Sequence, residues 1–132
     1  MILLDTNAIV FDALQPARLS RKARRLIEQA HGRNELACCD ISLWEIAMLV
    51  SKGRLDPGVS TLEFIKLVLT ARSIQVLAIN PEIAGMSVTL GDAIGLDPAD
   101  RLVAATAIHH RATLITTDNS LKHAGLPITI HK

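Results

Sequence analysis

The sequence predicts an α/β fold, with a central, mostly parallel sheet of four or five short strands and helices on both faces. Two observations carry this expectation. Apolar runs of three to six residues, such as Met1 to Leu4, Leu36 to Cys39 and Thr113 to Thr117, recur along the chain. They are too short for core helices and suit strands buried on both sides. Between them lie longer stretches with apolar residues at helical spacing, and strands that alternate with helices form parallel sheets.

Each element has a local reason. Met1 to Leu4 is apolar and stops at Asp5, as a buried strand does at its exit. Ala8 to Leu14 reads as a helix halted near Pro16. Ser20 to Ala30 places Ala23, Leu26, Ile27 and Ala30 on one face and arginines on the other, with Gly32 as its stop. Leu36 to Cys39 is the second strand, again followed by an acid, Asp40. Ile41 to Lys52 is a helix closed by Gly53, with Trp44 expected in the core. Ser60 to Arg72 is a further helix, and Ile74 to Ile79 alternates as a third strand. Asn80-Pro81 and Asp97-Pro98 each pair an N-cap with proline at the first helical position. The second of these opens a helix that runs to about His109. Thr113 to Thr117 is the fourth strand, with Asp118 after it. Ser120 to Ala124 reads as a short helix, and Ile128 to Ile130 as a last edge strand.

The 132 residues suit one domain, 1–132, with no repeat or linker. Hydrophobic residues make up 49% and charged residues 20%, which excludes a disordered chain. Aromatics are only 2%, so a platform of rings for stacking bases is not expected. A net charge of +1 excludes a generally polycationic protein, although Arg18, Arg21, Lys22, Arg24, Arg25 and Arg33 cluster against the single acid Glu28. That cluster reads as a solvated helix face, or as a contact for an RNA backbone or a protein partner. No apolar run is long enough to cross a membrane, and the start of the chain does not read as a signal peptide. Cys38 and Cys39 lack metal or redox spacing and read as packing residues of a cytoplasmic protein.

The chemistry lies in the acids. Sites in open parallel sheets form beyond the carboxyl ends of the strands. Asp5 and Asp118 follow strands, Glu45 sits early in the helix after the second strand, and Asp100 early in the helix that Asp97 opens. All five acids therefore belong to one rim. Carboxylates gathered in this way repel one another unless a cation neutralises them, and an all-oxygen set suits Mg²⁺ or Mn²⁺. Structural readings stand beside this one. Asp97 is a good N-cap, Asp100 a favourable first-turn acid, and Ser42 with Glu45 fits a capping box. Asp118 could cap the helix at Ser120. Only Asp5, at the end of a buried strand, has no such local excuse. His109 and His110 are adjacent on a helix and diverge too far to share an ion. Arg101, beside Asp100, could meet a phosphate or a neighbouring carboxylate.

LLDTNAIVF, ISLWEIAMLVSKGRL, LDPADRLVAATAI and LITTD, in that order, resemble the successive motifs of PIN-domain ribonucleases, and of the VapC toxins in particular. The resemblance spans Met1 to about Leu121. It implies that Asp5, Glu45, Asp100 and Asp118 are the acidic metal-binding quartet. It places Thr6, Asn7, Ser42 and Thr116 at polar supporting positions, and matches Asp97 to an acid of the third motif. It further implies an Mg²⁺- or Mn²⁺-dependent endoribonuclease, a homodimer, and silencing by a small VapB-like antitoxin. Leu96 and Ala99 depart from the usual pattern without removing a ligand. The competing expectation is a catalytically inactive binding protein on the same fold, which holds an antitoxin and aids transcriptional autoregulation. A phosphohydrolase or receiver domain fits poorly, because Asp5 lacks the second acid of an Asp-x-Asp motif.

Overall fold

In the computed structural model, residues 1–91, 94–95, 97–117 and 128–130 are described, the last three by backbone alone. Strand β1 (Ile2–Leu4) lies at the centre of a five-stranded sheet. It pairs in parallel with β2 (Leu36–Cys39) on one side and β4 (Thr113–Thr116) on the other, so that Leu4 stands between Cys38 and Ile115. β3 (Gln75–Leu77) extends the sheet beyond β2, and β5 (Ile128–Ile130) beyond β4, giving the order β3-β2-β1-β4-β5 with every pairing parallel. The chain builds outward from β1 in one direction, then returns to build in the other. The crevice between β1 and β4 is therefore the topological switch point.

Side chains alternate across each strand and make two cores. Leu4, Cys38 and Ile115 face helices α1 (Thr6–Leu14), α2 (Arg21–Gly32) and α4 (Thr61–Ala71), through residues such as Ile9, Ile27 and Phe64. Leu3, Cys39 and Leu114 face α6 (Pro98–His109) through Val103, Ala104 and Ala107. Helices α3 (Ile41–Ser51) and α5 (Pro81–Thr89) complete the covering, α5 against α6. Both cysteines are buried, and burial pushes the Cys38 thiol up to about 12, so it acts as a small apolar residue. Among the described residues no helix is long and apolar enough to cross a membrane.

Helix boundaries follow from hydrogen-bond accounting. Asp5, Ser20, Ser60, Asn80 and Asp97 each accept a backbone N–H at the start of their helix. α1 begins at Thr6, earlier than the Ala8 expected from apolar spacing, because Asp5 is its cap. α2 runs through Gly32, and the left-handed residue that ends it is Asn34, at φ 57°. The short helix expected at Ser120 to Ala124 lies outside the described residues.

Candidate active site at the rim of the sheet

Asp5 is placed by β1. Its N–H donates to Ile115 O at 3.0 Å, continuing the sheet by one residue. Its side chain then serves both the helix and the neighbouring strand. Oδ1 accepts the Ala8 N–H at 2.7 Å, and Oδ2 accepts the Thr116 hydroxyl and the Thr117 N–H. The acid that has no local structural reason in the sequence is thus an N-cap, favoured by the α1 dipole and fixed by β4. Thr116 is fully buried and aims this carboxylate from beneath.

Thr6, in the first turn of α1, reaches α3. Its hydroxyl donates to Glu45 Oε1 and lies 3.0 Å from the hydroxyl oxygen of Ser42. One hydroxyl carries one hydrogen, so the chain runs from Ser42 through Thr6 to Glu45. Ser42 is fully buried and lies inside the helix, so the capping-box reading of Ser42 and Glu45 fails. The cap position of α3 belongs to Asp40, which gives no side-chain cap and instead accepts the Ile79 N–H. Burial holds the Glu45 carboxyl above its ordinary range. The Thr6 hydrogen bond opposes that shift, and the charge of Asp97 adds to it.

Asp97 caps α6 by accepting the N–H groups of Ala99 and Asp100, at 2.8 and 3.2 Å. Asp100 stands in the first turn of the helix, half-buried. Asp5, Glu45, Asp97 and Asp100, with Thr6, Asn7 and Thr117, line one cavity of about 770 Å³. The rim gathers the expected acids, save that Asp118 lies outside the described residues.

Arg101 needs correction. Its guanidinium points away from the acids and donates to Ser87 O at 3.2 Å and Leu90 O at 2.9 Å, at the C-terminal end of α5. Consecutive helical residues diverge by about 100°, so a neighbour of Asp100 cannot share its face. Arg101 ties α5 to α6, and no ion pair among the described residues engages it. Trp44 also departs from expectation. It is 59% exposed and lines the cavity, with Met48, Lys52 and Arg54 along the same wall. Sequence reasoning misses these residues because α3 is apolar on almost every side. The cations of α2 line no part of this cavity.

Among the described residues, no three His, Cys, Asp or Glu side chains converge tightly enough to form a ready-made metal cluster. The oxygen-only donor set still suits a hard cation that keeps several of its waters and takes one or two carboxylates, as Mg²⁺ does.

The arrangement is that of an α/β domain with an acidic site at the switch point of a parallel sheet. The PIN domain family model matches residues 2–126. The chain belongs to the PIN domain family. It is 35% identical over 121 residues to Ribonuclease VapC22 of Mycobacterium tuberculosis, covering 92% of this chain and 89% of that protein. The solved structures that share the fold include the following two. VapBC2 from Rickettsia felis bound to a promoter DNA fragment has a TM-score of 0.76 at 21% identity, covering 100% of both chains. DNA-bound VapBC from Salmonella typhimurium has a TM-score of 0.73 at 15% identity, covering 98% of this chain and 96% of that one.

Proposed function

We infer that this chain is an Mg²⁺- or Mn²⁺-dependent endoribonuclease, a single-domain cytoplasmic toxin paired with a small VapB-like antitoxin. The observation that carries this reading is the cavity at the switch point, where three segments of a PIN domain converge with Asp5, Glu45, Asp97 and Asp100. The named ribonuclease among its relatives sets the substrate class as RNA.

A divalent ion held by these acids would supply charge stabilisation at a scissile phosphate and lower the pKa of a bound water. Asp5 and Asp100 are the direct ligands in this reading, with Glu45 and Asp118 completing the shell or orienting water. Asp5 needs no reorganisation, because Ala8, Thr116 and Thr117 already fix both oxygens. Glu45 is aimed by Thr6, which holds its carboxylate where it can complete the ion's shell or orient water. Asp97 holds the first turn of α6, and so the place of Asp100.

The partner follows the same logic. An acidic pocket accepts an arginine through paired hydrogen bonds, so an antitoxin tail laid across it would occlude metal and RNA. One neighbour in fold, from Klebsiella pneumoniae, is a toxin–antitoxin complex, and a homodimer of this chain would carry two such pockets. The test is cleavage of RNA by the purified chain with added Mn²⁺. Activity should vanish with EDTA, with Asp100→Asn, and in a stoichiometric antitoxin complex. Wild-type cleavage by Asp100→Asn protein would end the catalytic assignment, and an inert wild-type protein would favour a binding role. Full activity in the complex would place the antitoxin elsewhere.

A further inference from the structure

The acids explain how a phosphate could be attacked but not how an anionic strand stays beside them, since a net charge of +1 offers little general attraction. The α3 wall of the same cavity supplies an answer. Ile41, Trp44, Glu45, Met48, Leu49 and Lys52 fall at i, i+3, i+4, i+7, i+8 and i+11 along α3 and its C-cap, and all six line the cavity. The other side of the helix is anchored by buried Ser42 and Ile46. This face therefore changes character along its length, from a carboxylate near the N-terminus of the helix, through an indole and a thioether, to a cation at its end. Glu45 and Lys52 lie about 10 Å apart along the axis. Beyond Lys52 the chain turns at Gly53, φ 69°, and presents Arg54 to the same cavity. Arg54, Asn7 and Leu49 also line an adjoining cavity of about 630 Å³ with Arg18 and the acid Asp56. Lys52 and Arg54 are exposed, and no ion pair among the described residues engages them.

We propose that Trp44, Lys52 and Arg54 form the strand-holding lip of the site, with the indole stacking an unpaired base while the two cations bind the backbone on one side of the scissile phosphate. The proposal rests on the nuclease reading and narrows its substrate to single-stranded RNA, because a base paired in a duplex cannot lie on the ring. Charge favours a strand over a peptide on this wall. An arginine of an antitoxin tail would be drawn to the acids at one end of this wall, whereas Lys52 and Arg54 at the other end attract phosphates.

Trp44 is the sole tryptophan, so intrinsic fluorescence reports on this position alone. Asp100→Asn protein titrated with an unstructured oligoribonucleotide in Mg²⁺ should show saturable quenching. The same length as an abasic strand, or as a duplex, should quench far less. In the otherwise wild-type enzyme, Trp44→Ala should raise KM roughly tenfold with little change in kcat, and Trp44→Phe should recover most of the loss. The melting temperature should not move, because the ring is 59% exposed. Lys52→Gln with Arg54→Gln should flatten the log–log dependence of RNA affinity on salt by about 0.7 for each phosphate no longer neutralised. Unchanged fluorescence with an unchanged KM in Trp44→Ala, while cleavage persists, would overturn the lip and leave the nuclease reading standing. Quenching without any cleavage by wild-type protein would do the reverse. Loss of antitoxin capture in Trp44→Ala at unaltered RNA affinity would assign the ring to the partner and also overturn the proposal.

Discussion

Where α1, α2 and α4 meet, Arg72 takes Asp12 with a two-pronged grip, Nε to Oδ2 at 2.9 Å and Nη2 to Oδ1 at 3.0 Å, and reaches Glu28 Oε1 at 2.9 Å. At the rim of the sheet Glu45 has a threonine hydroxyl for a partner and another carboxylate, Asp97, for a neighbour. The two glutamates shift in opposite directions. Arg72 holds the Glu28 carboxyl below its ordinary value near 4.5, while burial and then Asp97 hold Glu45 above it. One region neutralises its carboxylates with an arginine, whereas at the rim the charge of Asp97 adds to the burial that raises Glu45. That residual repulsion is what a bound cation would remove.

The pH dependence differs accordingly. Glu28, with its lowered value, contributes stability that is present at neutral pH and is lost as pH falls below about 4.5. Glu45, with its raised value, contributes stability that is complete in acid and is lost as pH rises through its folded value.

The largest effect should come from removing one rim charge. Asp100→Asn keeps the shape of the first turn of α6 but takes away a proposed ligand. RNA cleavage should fall on the order of a hundredfold or more, with the metal-free melting temperature unchanged or higher. A large drop in stability would mean that Asp100 is structural, and the contrast between the regions would fail.

The reverse pattern is expected at the junction. Arg72→Ala strands Asp12, whose side chain is only 9% exposed, while Glu28 stays in solvent, and should cost roughly 2 kcal/mol on chemical denaturation. The full cost of a deeply buried pair is not expected, because the arginine side chain is 22% exposed. Arg72→Lys should restore only part of the loss, since an ammonium cannot reproduce the planar fork. Activity per folded molecule should be unaltered, because Arg72 lines neither cavity at the rim.

A smaller effect sharpens the electrostatic half of the comparison. In EDTA at pH 7, Glu45→Gln should stabilise the protein by less than about 1 kcal/mol, and the gain should disappear near pH 4, where the native glutamate is itself protonated. Added Mn²⁺ should stabilise the wild type more than the variant. Equal metal responses would remove Glu45 from the ion's shell.

The two regions are not equally legible in the sequence. The sheet can be read because its strands are short apolar runs closed by acids, a pattern with few alternatives. The same pattern also marks Asp40, whose carboxylate ties the backbone of Ile79, so an acid after a strand does not by itself make a site. The Arg72 junction joins positions 12, 28 and 72, and nothing local pairs them. Trp44 is hard to place because α3 is apolar all round, and periodicity cannot tell which face turns inward when every face is greasy. Arg101 is hard to place because adjacency along a helix is not adjacency in space. The PIN resemblance names acids that the fold brings to one cavity, Asp5, Glu45, Asp97 and Asp100, but assigns nothing to Trp44, Lys52 and Arg54 beside them.

The last comparison concerns how the helices at the two regions end. α3 closes through Lys52-Gly53-Arg54 and α4 through Arg72-Ser73-Ile74, with the same bonding pattern. Gly53 N–H donates to Val50 O and Arg54 N–H to Leu49 O, while Ser73 N–H donates to Thr70 O and Ile74 N–H to Leu69 O. Both turns need a left-handed residue, Gly53 at φ 69° and Ser73 at φ 52°. Glycine adopts that conformation freely, whereas serine is strained by about 1 kcal/mol, offset in part by the smaller freedom it loses on folding. Ser73→Gly should therefore stabilise the protein by about 0.5 kcal/mol, and Gly53→Ala should destabilise it by about 1 kcal/mol. The functional consequences should not mirror each other. Gly53 aims Arg54 into the cavity, so Gly53→Ala should also raise KM for RNA, whereas Ser73→Gly, behind the closed junction, should leave the kinetics alone. Equal kinetic effects from the two would mean that the turn after α3 is only a helix end, with no part in holding the strand.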